Sequence, residues 1–217
     1  MKAPLFDLVI LDWDGTIADS TGMIVDAVMA AAVELNMPPP SRALTLSSIG
    51  LGINALFLKL FPYIADDILE KMKVIYRSYY HANEAKVYLF EGVKEGIERL
   101  YQHKCKLAVA TGKSRNGLNF ALQHTELKRY FLITKTVDEC FSKPHPHMIE
   151  AILEETMMPR TRAVMVGDTH YDLEMGKNAH IQTIAVTYGA QPKEVLKSYE
   201  PLACCDSFKA VVDFLLP

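Results

Sequence analysis

Two carboxylates follow the first apolar run of this chain at a spacing that suits metal-assisted chemistry. Residues Leu8–Leu11 are all apolar, and Asp12 and Asp14 come directly after them. Because alternate residues of a strand point to the same side, an extended chain would place both acids together. Neighbouring carboxylates repel each other unless a cation or a shared proton stabilises them. The pair therefore predicts an enzyme site with a nucleophile, an acid and a hard metal ion.

Polar groups of complementary kinds follow the later apolar runs. In chain order they are Thr111 and Gly112 after 105–110, Lys143 ahead of a predicted helix, and Asp168 and Asp172 after 162–166. In an open parallel sheet, ligands bind beyond the carboxyl ends of the strands. Several carboxylates suit Mg²⁺, and a hydroxyl with an ammonium group beside them suits a phosphoryl group.

The spacing of apolar residues divides the chain into two parts. From residue 87 onward it predicts alternating helices and strands, and between 20 and 84 it predicts helices alone, at 21–35, 41–49, 53–60 and 66–82. Continuous apolar strands that alternate with helices are typical of a parallel sheet covered on both faces. We expect an α/β fold with a doubly wound, Rossmann-like core formed by 1–18 and 85–217. Residues 19–84 are predicted to form an inserted α-helical cap.

Composition excludes several kinds of partner. Half of the 217 residues are apolar and the formal net charge is −3, which gives no general attraction to nucleic acid or to an anionic membrane. No run approaches the roughly 20 apolar residues that span a bilayer, and the first residues lack the apolar segment of a signal peptide. We expect a cytoplasmic protein, monomeric or homodimeric, that binds no nucleic acid and no membrane.

Four segments, taken in chain order, resemble the four signature motifs of the haloacid dehalogenase superfamily. They are Asp12-Trp13-Asp14-Gly15-Thr16, Ala110-Thr111-Gly112, Lys143-Pro144, and Gly167-Asp168-Thr169-His170-Tyr171-Asp172. The helical insertion after the first motif is also similar to a cap of that superfamily. The resemblance covers nearly the whole chain, and four motifs in the same order are far more specific than any one of them.

The resemblance implies a catalytic role for four side chains. Asp12 would be the nucleophile that accepts the phosphoryl group as an aspartyl-phosphate. Asp14 would protonate the leaving oxygen and then activate the hydrolytic water. Thr111 and Lys143 would bind phosphoryl oxygens, and Lys143 would also offset the charge of the carboxylates.

The resemblance also implies a metal site and further contacts. Mg²⁺ would be held by Asp12, the backbone carbonyl of Asp14 and Asp168, with Asp172 orienting the groups around them. Candidate substrate contacts are Thr16, Gly112 and His170.

Asp14 and Thr16 narrow the reaction that the resemblance implies. Dehalogenases of this superfamily lack the second aspartate, so Asp14 indicates a leaving group that must be protonated. Thr16 favours a phosphatase over the related sugar phosphomutases. We expect a Mg²⁺-dependent phosphatase that acts on a small phosphorylated metabolite, with phosphoglycolate favoured. The alternatives are a sugar phosphomutase or a pyrophosphatase on the same scaffold, and a non-catalytic binding protein that kept the fold.

Two residues beside the motifs, Lys113 and His147, are interpreted as structural rather than catalytic. Lys113 is expected to be solvated, and His147, where the family commonly has an aspartate, is expected to begin a helix. Specificity is expected to come from the cap. The candidate cap contacts are Asp19-Ser20, the turn at 49–54, and the cluster Tyr76, Arg77, Tyr79, Tyr80 and His81.

Overall fold

The structure is a computed structural model that describes residues 3–216. Its strands are β1 (Leu8–Leu11), β2 (Lys106–Thr111), β3 (Phe131–Thr136), β4 (Ala163–Gly167), β5 (Gln182–Val186) and β6 (Ala203–Cys205). Its helices are α1 (Thr21–Glu34), α2 (Arg42–Leu46), α3 (Ile53–Leu60), α4 (Asp66–Asn83), α5 (Val93–Gln102), α6 (Arg115–His124), α7 (His147–Thr156), α8 (His170–Asn178), α9 (Lys193–Lys197) and α10 (Phe208–Leu215). Short 3₁₀ turns lie at Glu84–Lys86, Lys128–Tyr130 and Arg160–Arg162.

The six strands form one parallel sheet in the order β3-β2-β1-β4-β5-β6. The chain builds the sheet outward from β1 in one direction and then, from β4, in the other. Strand β1 therefore lies at the point where the strand order reverses, which is where open α/β sheets bind their ligands. The predicted doubly wound α/β fold is confirmed.

The alternation of side chains along the strands separates two apolar layers. Val9 and Leu11 pack on one face with residues of α5, α6 and α10, whereas Leu8 and Ile10 pack on the other face with residues of α7 and α8. All four of these strand residues are fully buried. A strand that is buried on both faces must be apolar throughout, which explains the uninterrupted run before Asp12.

Helices α1 to α4 follow β1 and have an apolar core of their own. Side chains of α1, α3 and α4 meet in one buried cluster that includes Val28, Phe57 and Met72. The helix predicted at 41–49 ends earlier, at Leu46, and the hydroxyls of Ser47 and Ser48 donate to the backbone carbonyl of Leu44. Serine hydroxyls that bond back to the main chain compete with continued helical pairing, which accounts for the shorter helix. Within residues 3–216, no helix is long and apolar enough to cross a membrane.

Candidate active site

The carboxyl ends of β1, β2 and β4 bring most of the predicted site residues together. Asp12 follows β1, Thr111 ends β2, and Asp168 follows β4. Asp12, Thr111 and Asp168 are all at most 1% exposed. The sheet therefore gathers, from three distant parts of the sequence, polar groups that an apolar interior would otherwise exclude.

Lys143 lies in the segment between β3 and α7, and its ammonium group binds two of the carboxylates. Its Nζ is 2.5 Å from Asp12 Oδ1 and 2.7 Å from Asp172 Oδ1. The Lys143 side chain has no exposed surface. Burial lowers the pKa of Lys143, but the two carboxylates outweigh that effect and hold the pKa above its usual range. Lys143 is therefore a fixed positive charge against the Asp12 carboxylate.

Oxygen atoms of Asp12, Asp168 and Asp172 lie within 4.8 Å of one another. The Asp172 carboxylate also accepts hydrogen bonds at Oδ2 from the Thr169 backbone N–H (3.0 Å) and hydroxyl (2.7 Å), while its Oδ1 accepts from Lys143. The Asp172 carboxylate thus accepts three hydrogen bonds from protein donors, which suits a supporting position beside a metal site. Asp12 and Asp168 have more acceptor capacity left.

Asp168 is held by two loops. Thr16 donates its hydroxyl to Oδ1 at 3.0 Å, and the Ala190 backbone N–H donates to Oδ2 at 2.7 Å. Burial and the neighbouring Asp172 raise the pKa of Asp168 to about 7, although these two hydrogen bonds oppose the change. Thr16 is fully buried, and its hydroxyl orients the Asp168 carboxylate.

One oxygen of Asp12 indicates that Asp12, Asp168 and Asp172 can accommodate a divalent cation. Among residues 3–216, Asp12 Oδ2 is the single buried side-chain oxygen or nitrogen without a hydrogen-bond partner. Burial raises the pKa of Asp12 well above its usual range; Lys143 opposes this, and Asp172 and Asp168 add to it. A buried, unpartnered carboxylate oxygen beside a second carboxylate is the oxygen-rich arrangement that Mg²⁺ binds, and the cation would favour the charged acids. The residues present fit the ion.

Asp14 has surroundings different from those of Asp12. Ser20 donates its hydroxyl to Asp14 Oδ1 at 2.6 Å, and Lys113 Nζ lies 3.1 Å from the same oxygen. Gly15, at φ +86°, turns the chain after Asp14, and a Cβ there would fall 2.1 Å from Asp168 Oδ2. Gly15 therefore lets the chain turn so that Asp12 and Asp14, at the end of one strand, face different partners. The same turn brings the Gly15 backbone close to Asp168.

The prediction of a solvated Lys113 is wrong. Its ammonium group contacts Asp14 Oδ1 and lies 3.0 Å from the hydroxyl of Tyr80, and only 8% of the Lys113 side chain is exposed. Burial lowers the pKa of Lys113, but Asp14 and Tyr80 outweigh that effect and raise it above its usual range. A buried ammonium group needs a charged partner, and Asp14 supplies it.

A cavity of about 100 Å³ lies between the strand ends and the helical unit. Its lining includes Asp12, Asp14, Thr111, Gly112 and Lys113 from the strand-end loops, and Ile24, Ile49, Leu51, Ile53, Leu56, Tyr76, Arg77, Tyr80 and His81 from the helical unit. A cavity needs about 10–15 Å³ to hold one water molecule, so this one has room for several groups of that size and suits a small ligand. The helical unit lines the cavity mainly with apolar and aromatic side chains, and the strand-end loops supply most of its charged and polar groups.

Two predicted contact residues, His170 and Tyr79, do not line the cavity. The structure does not bring His170 to the cavity: it begins α8, and its Nδ1 lies 2.8 Å from Nε2 of Gln191. Tyr79 is 39% exposed and is also outside the cavity lining. His147 begins α7, as predicted.

Three contributors were not singled out from the sequence as partners of these acids. The sequence indicates Ser20 only as a cap contact and Lys113 as a solvated side chain, and Ala190 lies beyond every motif. A signal was available for Lys113, since it directly follows Thr111-Gly112. No local pattern marks Ala190, because its contribution is a backbone N–H.

The fold, the acids at the strand ends and the sequence define one class of protein. Residues 9–186 match the sequence model of the haloacid dehalogenase-like hydrolases. The chain belongs to this family and is therefore an enzyme, which sets aside the non-catalytic alternative.

Relatives and solved structures agree with this assignment. The chain is 32% identical over 212 residues to a probable phosphatase IndB of Dickeya dadantii, covering 94% of this chain and 91% of that protein. It is 29% identical over 195 residues to a pyrophosphatase PpaX of Anoxybacillus flavithermus, covering 89% of each. A crystal structure of a predicted phosphoglycolate phosphatase from Haemophilus somnus 129PT superposes with a TM-score of 0.88 at 22% identity, covering 96% of this chain and 97% of that one. The last comparison shows a shared fold.

Proposed function

We propose that this hydrolase is a Mg²⁺-dependent phosphatase that cleaves a small phosphomonoester through an aspartyl-phosphate on Asp12. The observation that carries the proposal is the buried Asp12 carboxylate, which lines the cavity beside Asp14 and whose Oδ2 has no hydrogen-bond partner within residues 3–216. One oxygen of this carboxylate can face the cation while the other attacks phosphorus, because the carboxylate borders the cavity where the substrate would bind. The names of the relatives, a probable phosphatase and a pyrophosphatase, support phosphoryl chemistry.

The side chains divide the reaction into two transfers. The Asp12 carboxylate attacks phosphorus, the bond to the leaving oxygen breaks, and Asp14 gives that oxygen its proton. Asp14 then takes a proton from water as the water attacks the aspartyl-phosphate, which releases inorganic phosphate and restores Asp12. Thr111 and Lys143 would bind phosphoryl oxygens during both transfers. Asp12, Asp168 and the Asp14 carbonyl would hold Mg²⁺, which neutralises phosphoryl charge.

We also propose that residues 19–84 act as a cap over the core formed by 1–18 and 85–217. The cap contributes the apolar wall of the cavity, and closure over a phosphoester would exclude water from the reacting groups. Gly52 of the cap donates its backbone N–H to the Ser142 hydroxyl of the core at 3.0 Å, close in sequence to Lys143. The covered arrangement therefore suits hydrolysis limited to small substrates.

The cavity wall favours a small organic phosphoester such as phosphoglycolate. Ile24, Ile49 and Leu56 offer contact to carbon atoms, while Arg77 offers positive charge to an anionic leaving group. The similarity to PpaX makes pyrophosphate the second candidate. Its leaving group is a phosphate, which has no carbon for the apolar wall to contact.

Release of phosphate from p-nitrophenyl phosphate with Mg²⁺ tests the reaction. The wild type should be active, and Asp12→Asn should fold normally, by circular dichroism, and show no release above background. Equal activity in the variant, or no metal-dependent activity in the wild type, would contradict the mechanism. A comparison of kcat/KM for phosphoglycolate, pyrophosphate and a sugar phosphate then separates the substrates. A phosphomutase would instead need a bisphosphate primer and would give an isomer rather than free phosphate.

A further inference from the structure

Lys113 joins the helical cap to Asp14 through two contacts of its ammonium group. Nζ lies 3.1 Å from Asp14 Oδ1 and 3.0 Å from the hydroxyl of Tyr80, which belongs to α4. The same atom lies 4.7 Å from the centre of the Tyr80 ring. Tyr80 and Asp14 are each 8% exposed. The contacts therefore form a buried chain of three side chains from the cap, through the loop after β2, to the end of β1.

The hydrogen bonds around Asp14 fix which of its oxygens stays available. Ser20 and Lys113 both contact Oδ1, and no donor within residues 3–216 contacts Oδ2. Two donors on one oxygen hold the carboxylate in a single rotation about its Cβ–Cγ bond, and the other oxygen is left for proton exchange with a ligand in the cavity. Ser20 lies just before α1, so one of these donors belongs to the start of the cap. The other donor, Lys113, contacts Tyr80 of the cap and is held in place by it.

We propose that Lys113 and Tyr80 are positioning residues that hold Asp14 in its proton-transfer orientation when α4 covers the site. The inference rests on the proposed phosphatase function, since it assigns the orientation of that reaction's acid. Lys113 acts through Asp14 and does not itself transfer the proton. When α4 moves away, Lys113 loses its contacts with the Tyr80 hydroxyl and ring. The ammonium group that contacts Asp14 is then no longer held in place. Proton donation to the leaving group is thereby linked to closure over the substrate.

A series of phosphomonoesters with leaving groups of rising basicity separates this role from general damage. The value of kcat/KM reports steps up to departure of the leaving group, which is where Asp14 acts as an acid. A p-nitrophenolate leaving group needs little protonation, whereas an aliphatic alkoxide needs a proton. Lys113→Met should lower kcat/KM for alkyl phosphates by about 10- to 100-fold, a part of the roughly 10²- to 10⁴-fold contribution of general acid catalysis. The loss on p-nitrophenyl phosphate should be at most about 3-fold, because little of that acid contribution is used there.

Two further variants complete the test. Tyr80→Phe keeps the ring and removes the hydroxyl, so it should give a smaller loss of the same kind, roughly 3- to 10-fold on alkyl phosphates, as expected for one hydrogen bond. Lys59→Met is the matched control. Lys59 of α3 contacts the Tyr171 hydroxyl of the core and lies over its ring, which is a second lysine–tyrosine contact between cap and core that does not touch Asp14. Lys59→Met should leave the dependence on the leaving group unchanged.

Each alternative outcome has a distinct meaning. Equal losses on all substrates would overturn the inference and assign Lys113 a structural role. A rise in KM with an unchanged dependence on the leaving group would also overturn it and make Lys113 a substrate-binding residue. If Lys113→Met fails to fold, Tyr80→Phe decides the question in the same assay. A wild type without Asp12-dependent turnover would overturn the proposed function together with the inference, whereas an active wild type with unaltered variants would overturn the inference alone.

Discussion

Gly189 lies directly against Asp168, so close that a Cβ on this glycine would come within 2.3 Å of the Asp168 Cβ and 2.4 Å of its Oδ2. The next residue, Ala190, donates its backbone N–H to the same Oδ2. The loop after β5 therefore shapes the proposed metal site although none of its side chains binds a metal. Its role is to let the backbone approach a buried carboxylate.

Gly189→Ala should weaken Mg²⁺ binding, because the added methyl group must displace Asp168. We expect the Mg²⁺ concentration for half-maximal activity to rise about 10- to 100-fold, as is typical when a group supporting a metal ligand is changed. A Mg²⁺ titration of phosphatase activity measures it. Gly96→Ala is the control, since its Cβ would meet Phe208 at 2.6 Å in the core between α5 and α10. The control should lose stability and keep the Mg²⁺ dependence; an unchanged dependence in Gly189→Ala would contradict the prediction.

Mg²⁺ should raise the thermal stability of the protein, because the cation relieves the repulsion among Asp12, Asp168 and Asp172. At a hundred times Kd the gain is about 2.7 kcal/mol. For a chain of this size that gain corresponds to a rise in Tm of about 5–10 °C. Differential scanning fluorimetry with Mg²⁺ and with EDTA measures the rise. Asp168→Asn should abolish it, and Asp206→Asn, which removes an exposed carboxylate outside the cluster, should preserve it. A rise that persists in Asp168→Asn would place the ion elsewhere.

Lys143→Met should lower both activity and stability. The variant leaves Asp12 and Asp172 buried without their cation, and breaking a buried ion pair on one side costs about 3–5 kcal/mol. Urea unfolding in the absence of metal measures the loss. Lys209→Met is the control: this lysine is 77% exposed in its pair with Asp213, and such pairs contribute at most about 1 kcal/mol. Similar losses in the two variants would mean that the buried charges are compensated by other groups.

Gly112→Ala should hinder closure of the cap. The added Cβ would lie 2.6 Å from the carbonyl oxygen of Gly50 and 2.7 Å from that of Leu51, and backbone atoms cannot move aside as a flexible side chain can. A displacement of about 1 Å can cost about 100-fold in rate, so we expect kcat/KM to fall by about 10- to 100-fold. Steady-state kinetics measure the loss, and urea unfolding should show little change in stability. Gly22→Ala, whose Cβ has no heavy atom within 4 Å, should behave as the wild type. Wild-type kinetics in Gly112→Ala would show that the cap tolerates the displacement.

Much of the site was predictable because it depends on local patterns. An apolar run such as Leu8–Leu11 predicts a strand buried on both faces, and the acids that follow it must then lie at a sheet edge. The same reasoning predicted the positions of Thr111 and Asp168. These predictions need only a parallel sheet, whose strands share one carboxyl edge, and the alternation of helices and strands already indicates such a sheet.

The partners of these acids were less predictable because they come from distant segments. Lys113 was expected to be solvated, and its burial depends on Tyr80, which is 33 residues earlier in the chain and on a different unit. His170 lies within a motif, yet its side chain pairs with Gln191. A periodic pattern says which face of an element is apolar, but it does not say which loop or helix covers a polar group at the end of a strand.

The residue types and their spacing indicate which groups meet at the proposed active site: two acids after the first strand, a third after the fourth, and a lysine before a helix. How those groups are charged and held depends on the packing of the folded chain. This packing buries Lys143 between two carboxylates, leaves Asp12 Oδ2 without a hydrogen-bond partner among residues 3–216, and turns Lys113 toward Asp14. The physical reason is that burial and partner geometry are set by packing between segments far apart in the chain, whereas residue type and spacing are local.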